Sequence, residues 1–175
     1  QNIERFSRVN GLNETGISCM GLDPATEQLL IAYSNSNIDI LHQLDVFNIP
    51  DLKRDNIIGD KTIYHIYPRN GLFYLSTGLG IVIADGSRYE IRDSWFIGNN
   101  GSQVKVSGFT SDGSFFYAAT AEGLKRAAVN GPNPANYANW QLLSGANGLT
   151  AGPVNKVVTI QNKVLLLKSD SVFVQ

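Results

Sequence analysis

Phe115-Phe116-Tyr117-Ala118-Ala119-Thr120-Ala121-Glu122-Gly123-Leu124-Lys125-Arg126 decides the fold, because three other stretches of the chain share its grammar. Moved back 43 residues, Phe116, Tyr117, Thr120 and Gly123 fall on Phe73, Tyr74, Thr77 and Gly80. A second step of 43 places Tyr117, Gly123 and Leu124 on Ile31, Asn37 and Ile38, and a forward step of 48 places Leu124 on Val172. Each copy is a short apolar run, a few residues of turn chemistry and a second short apolar run. Runs this short read as the two strands of a β-hairpin rather than as helix. The turn positions Asn37, Gly80 and Gly123 are expected to take φ > 0, which glycine reaches without steric cost and asparagine tolerates next best. Ser171 departs from the pattern, so the fourth turn is the weakest match.

Working outward, each hairpin gains flanking strands. Strands are expected at 17–22, 29–41 (the hairpin) and 46–49 for copy one, at 63–67, 72–84 and 89–96 for copy two, at 104–109, 115–126 and 140–143 for copy three, and from 154 to the end for copy four. Arg5-Phe6-Ser7-Arg8-Val9 alternates polar and apolar and reads as a leading outer strand, which brings the expected count to sixteen. Repeats of 43 to 48 residues with four strands each are the signature of a β-propeller. The expected fold is therefore all-β: four-stranded antiparallel blades, about four of them visible, in one domain over 1–175 that is either a closed ring or a sector of a larger propeller. The repeat units run roughly 10–50, 51–98, 99–144 and 145–175, with 5–9 as the leading strand. Almost no helix is expected, and a single turn only within 133–139. If the leading strand completes the last blade the ring closes; otherwise the end blades expose edges that invite self-association.

Composition narrows the function. The chain has 175 residues and 43% hydrophobic residues, and no apolar run approaches the roughly 20 residues of a membrane span. With 14 basic and 15 acidic residues the net charge is -1, so no long-range field draws it to nucleic acid. Lys53-Arg54, followed by Asp55, reads as a solvated loop. The one cysteine, Cys19, rules out an internal disulfide and reads as a buried thiol. The opening Gln1-Asn2-Ile3-Glu4 is no signal peptide, although a trimmed chain would look the same.

No constellation for catalysis stands out. Gly78-Leu79-Gly80 lacks the third glycine and the following helix of a dinucleotide site. His42 and His65 lie 23 residues apart in different copies without further ligands nearby, so no metal is expected. No Gly-x-Ser-x-Gly occurs, and Asp85-Gly86 and Asp112-Gly113 read as turns. Asn13-Glu14-Thr15 and Asn100-Gly101-Ser102 match the glycosylation sequon. Asp39 interrupts Ile38-Asp39-Ile40, where an interblade hydrogen bond is expected. Tyr137, Trp140 and Trp95 are the candidate ligand- or partner-binding residues, since 133–140 is a long, low-charge loop of the kind that carries recognition on rigid scaffolds. Against that stands the expectation that Trp140 opens a strand and packs between blades.

With the blades laid out, Phe6-Ser7-Arg8-Val9-Asn10-Gly11-Leu12, Leu30-Ile31-Ala32-Tyr33-Ser34-Asn35-Ser36-Asn37-Ile38-Asp39-Ile40-Leu41, Asn48-Ile49-Pro50-Asp51-Leu52-Lys53-Arg54 and Tyr74-Leu75-Ser76-Thr77-Gly78-Leu79-Gly80-Ile81-Val82 resemble the N-terminal propeller of PorZ-type proteins of the type IX secretion system. The resemblance covers nearly the whole chain. More loosely, Thr120 to Leu124 and Gly148-Leu149 to Val154 are similar to propeller repeats in the sensor half of hybrid two-component regulators. The first resemblance implies a non-enzymatic protein, secreted or held at the surface or outer membrane of a Gram-negative bacterium. It implies work beside a sortase-like protease in the complex that anchors secreted cargo, with glycan or lipopolysaccharide as a further partner class. It also implies that this chain is a piece of a longer protein. A ligand-sensing domain and a propeller enzyme such as a lyase or lactonase are the competing classes.

Overall fold

Strands whose two faces are both covered read as unbroken apolar runs rather than as alternation, and the second strand of each of the first three repeats is of this kind. The computed structural model describes residues 3–145 and 148–175, which form fifteen strands in four antiparallel sheets. Blade 1 comprises β1 (Ile17–Asp23), β2 (Gln28–Tyr33), β3 (Ile38–His42) and β4 (Asp45–Ile49). Blade 2 comprises β5 (Ile63–Arg69), β6 (Leu72–Thr77), β7 (Ile81–Asp85) and β8 (Glu90–Trp95). Blade 3 comprises β9 (Val106–Ser111), β10 (Phe115–Thr120), β11 (Gly123–Ala128) and β12 (Gln141–Leu143). Blade 4 has three strands, β13 (Lys156–Ile160), β14 (Lys163–Lys168) and β15 (Ser171–Val174). In every sheet the strand order follows the chain.

In β6, Phe73 and Leu75 pack toward Leu30, Ile38 and Ile40 of blade 1, while Tyr74 packs toward Phe109 and Phe116 of blade 3. A third core joins Tyr117, Ala119 and Leu124 of blade 3 to Val157, Val164 and Leu166 of blade 4. The innermost strands lie side by side in chain order, β1 by β5, β5 by β9 and β9 by β13, with no comparable contact between β13 and β1. The four blades are thus a sector of a larger propeller. Its two end faces leave Met20 and Leu22 on one side, and Val158, Ile160, Val172 and Val174 on the other, each about half exposed or more.

The motif that recurs as Thr-x-x-Gly has a direct physical basis. The buried hydroxyl of Thr120 donates to the Gly123 carbonyl (2.7 Å) and accepts from the backbone N–H groups of Glu122 and Gly123 (3.1 Å each). Thr77 repeats this around Gly80. Both glycines have left-handed backbone, φ +145 at Gly80 and +143 at Gly123, and a Cβ at Gly80 would stand 2.3 Å from the Trp95 carbonyl oxygen.

Five expectations are corrected. Asn37 does not carry the positive φ of its turn; Ser36 does, at φ 66. The blade 1 turn is one residue longer, closing from Tyr33 N to Asn37 O where blade 2 closes from Thr77 N to Gly80 O, so the inserted residue absorbs the left-handed conformation. The same insertion shifts β2 by one: Ala32 pairs with Ile38 as Ser76 does with Ile81, which makes Leu30, not Ile31, the counterpart of Tyr74. The leading strand is not formed. Residues 3–7 are irregular and 8–11 form a turn in which Asn10 N and Leu12 N both donate to Ser7 O at 3.0 Å. An outer strand needs the third strand of its own blade, and none lies beside this segment; Phe6 and Leu12 fold instead onto Ile31 and Tyr33.

Asp39 makes no interblade bond. Its carboxylate accepts from Asn13 N and Asn13 Nδ2 (2.9 Å each), Tyr33 OH (2.5 Å) and Asn48 Nδ2 (2.8 Å), tying the leading segment to its own blade. A helical turn also occurs outside 133–139, at Asp51–Arg54, besides the one at Tyr137–Asn139, and Asn99–Gly101 is a tight turn with left-handed backbone at Asn100 and Gly101. Burial of Leu52, 4% exposed, against the core between blades 1 and 2 draws the first of these into a helical turn.

Candidate functional site

The three aromatic candidates lie around the junction of blades 2 and 3. Trp95 closes β8 and Trp140 precedes β12, and they are 7% and 8% exposed. With Tyr67, Tyr74, Phe109 and Phe116 they form one aromatic layer: Tyr74 and Phe109 stack at 5.1 Å, and the two indoles are 6.4 Å apart. Each indole N–H has a partner, Asp93 Oδ2 for Trp95 and Pro134 O for Trp140, both at 2.8 Å. These two tryptophans therefore hold the blades together and present little surface. Tyr137 is 42% exposed and lies over the Asn99–Gly101 turn, its Cδ1 within 2.9 Å of where a Cβ on Gly101 would stand.

The loop preceding Trp140 is held by its own polar groups. Asn133 Oδ1 accepts from Ala135 N, Asn136 Oδ1 from Ala138 N, and Asn139 Nδ2 donates to Asn133 O. Such Asx turns give a charge-poor loop a defined shape. Held this way, Asn133 and Pro134 form one wall of a groove of about 400 Å³ between the two blades.

Leu72, Tyr74, Ile83, Phe116 and Val129 supply most of the groove's floor, Trp95 its inner end, and Arg69, Asn70, Arg92 and Asp93 its polar rim. Arg69 ends β5 and its guanidinium stands 5.4 Å from the centre of the Phe116 ring. Arg92 reaches the groove because β8 carries a bulge: Ile83 pairs with Asp93 and Ala84 with Ile91, leaving Arg92 as the extra residue. A bulge re-aims side chains that strict alternation would send to opposite faces. Neither arginine has a carboxylate partner among the described residues. Burial pushes the Tyr74 phenol above its ordinary value, and Arg69 and Arg92 oppose that shift. Neither arginine was singled out from sequence. Beside Arg69 stands the turn dipeptide Asn70-Gly71, both residues of which have positive φ.

Elsewhere the chemistry is structural. Among the described residues no group of three or more histidine, cysteine, aspartate or glutamate side chains converges on a metal-sized site. His65, on the innermost strand of blade 2, has no partner at Nδ1, and burial followed by Lys156 lowers its pKa. The carboxylate of Asp23, at the end of β1, accepts from Gly71 N and Ala25 N. Asn13, in a sequon, gives its amide N–H to Asp39. Lys53 pairs with Glu14. A second groove, about 560 Å³, lies beside β12 and β15 where blade 4 has no fourth strand, with Leu142, Leu149, Val172 and Val174 along it.

The family model described as the PorZ N-terminal β-propeller domain of the type IX secretion system matches residues 1–141. Among solved structures, PorZ, an essential surface component of the type IX secretion system of Porphyromonas gingivalis, superposes with a TM-score of 0.82 at 25% identity, over 97% of this chain and 22% of that one. The extracellular domain of a putative hybrid two-component system from B. thetaiotaomicron gives 0.72 at 16% identity, over 98% and 22%. The computationally designed Ika4 protein gives 0.63 at 11% identity, over 93% and 91%. The last two are likenesses of fold alone. No curated protein matches the chain.

Proposed function

The chain belongs to the family of PorZ N-terminal β-propeller domains of the type IX secretion system, and from that membership we propose that it is a non-enzymatic binding and scaffold module at the surface of a Gram-negative bacterium. The family match across 1–141 carries this reading. It is supported by a site that offers recognition groups, two guanidinium groups without a carboxylate partner among the described residues and an apolar groove. A lyase or lactonase would need carboxylates or histidines converging from β1, β5, β9 and β13; those strands bring His65, and an Asp23 already committed to a turn.

The chain spans 22% of the length of PorZ, so the partners belong to the proposal. They are a sortase-like protease of the cargo-anchoring complex and, as a second class, surface glycan or lipopolysaccharide. No helix among the described residues is long and apolar enough to cross a membrane. The end faces of the sector make contacts with further blades or with a second copy.

The test is made in the full-length protein. Surface labelling of intact cells should reach the tagged protein, and affinity capture after cross-linking should recover the anchoring protease. Replacing the propeller by an unrelated domain should release cargo into the medium. Normal cargo retention after that replacement would overturn the proposal.

A further inference from the structure

We propose that the groove between blades 2 and 3 takes an acidic segment of a partner protein carrying an aromatic or large aliphatic side chain next to its carboxylates; this rests on the binding-module reading above. Arg69 and Arg92 stand on one rim with no carboxylate partner among the described residues. The acidic residue beside them, Asp93, is occupied by Trp95 Nε1 and the Ser94 N–H. Two guanidinium groups at one opening favour carboxylate, and planar donors favour it in bidentate geometry. The bulge that brings Arg92 there interrupts the β7–β8 ladder at the blade's edge strand and re-aims its side chain.

The floor selects the rest of the ligand. Leu72, Val129 and Pro134, each partly exposed, offer apolar surface in a groove of about 400 Å³, within the range of ligand pockets. A sugar would need an open aromatic face to stack on, yet Tyr74 and Trp95 are each only 7% exposed. The chemistry therefore favours a peptide over a glycan. The wall at Asn133 and Pro134 is fixed by the loop's own hydrogen bonds, so little ordering is needed on binding.

The chain's two tryptophans both border this junction, which makes intrinsic fluorescence a local reporter. Titration with acetyl-Asp-Phe-Asp-Phe-amide should give a saturable change in emission that weakens as salt is raised. The isosteric acetyl-Asn-Phe-Asn-Phe-amide should bind about tenfold more weakly, as should the acidic peptide to Arg92→Gln or Arg69→Gln. Arg88→Gln, an exposed arginine paired with Glu90, should leave the affinity unchanged. Equal binding of the two peptides, indifference to Arg92→Gln, or saturation by oligogalacturonate with no response to the acidic peptide would each overturn the inference. Cargo retention by the full-length protein separates the two levels: if the unsubstituted chain retains cargo yet gives no saturable response to the acidic peptide, this inference fails and the scaffold reading stands.

Discussion

At the level of single residues, the threonine and glycine of each hairpin act as one unit. Thr120 and Thr77 are fully buried and satisfy two backbone N–H groups and one carbonyl apiece. Thr120→Val keeps the shape and orphans those groups, so a loss of about 1–3 kcal/mol is expected in urea denaturation. Gly123→Val forces a β-branched residue to φ +143 with Leu142 Cδ1 2.8 Å from the new Cβ, and should cost about 1–3 kcal/mol. Unchanged melting would mean that the turn is not held in this conformation. Asn37→Gly relieves no backbone strain, since the positive φ falls on Ser36; the Asn37 side chain is 4% exposed, accepts from Asn48 Nδ2 and donates to Glu14, so its removal should destabilise by about 1 kcal/mol. His65 gives a pH signature. Burial, then Lys156, holds its imidazole below the ordinary 6.5. The folded chain therefore prefers the neutral ring more than the unfolded chain does; this stabilisation is complete above 6.5 and is lost as pH falls through the folded value. Melting temperatures measured from about pH 8 down to about pH 5 should fall less steeply in His65→Gln.

Among the elements, the leading segment and β8 show how neighbours decide conformation. Residues 5–9 have the alternation of a strand, but a strand without a partner leaves its backbone N–H and C=O groups to water. The segment gains more by burying Leu12, 7% exposed, and anchoring Asn13 on Asp39. Leu12→Ala should lower stability by about 2 kcal/mol or more, read from the shift in the denaturation midpoint. An equal midpoint would show that the strap contributes nothing to blade 1. The strands of the three full repeats were legible from their apolar runs and turn dipeptides. The arginine rim was not, because whether Arg92 faces the groove depends on where β8 slips against β7, and one residue of slip reverses a side chain's direction.

For the whole molecule, the open end faces set the behaviour in solution. Val158, Ile160, Val172 and Val174 expose apolar surface on blade 4, and β15 has no strand paired on its outer side. Such an edge is a template for pairing. Light scattering across a dilution series should show concentration-dependent association of the isolated 175-residue chain, weakened by the double substitution Val172→Lys and Val174→Lys. A monomer at every concentration would remove the end faces as contact surfaces.

The sequence by itself determined the all-β class, the four repeats and the hairpin at the centre of each, because side-chain period, run length and turn chemistry are local properties. It also carried the family, through segments spread over the chain. The tertiary structure alone decided that Trp95 and Trp140 join blades, that Asp39 ties down the leading segment, that Ser36 rather than Asn37 takes the left-handed turn, and that the blades stop short of a ring. Each of these depends on which strand lies beside which and in what register. Those are long-range pairings, and no stretch of the chain encodes them without its neighbour.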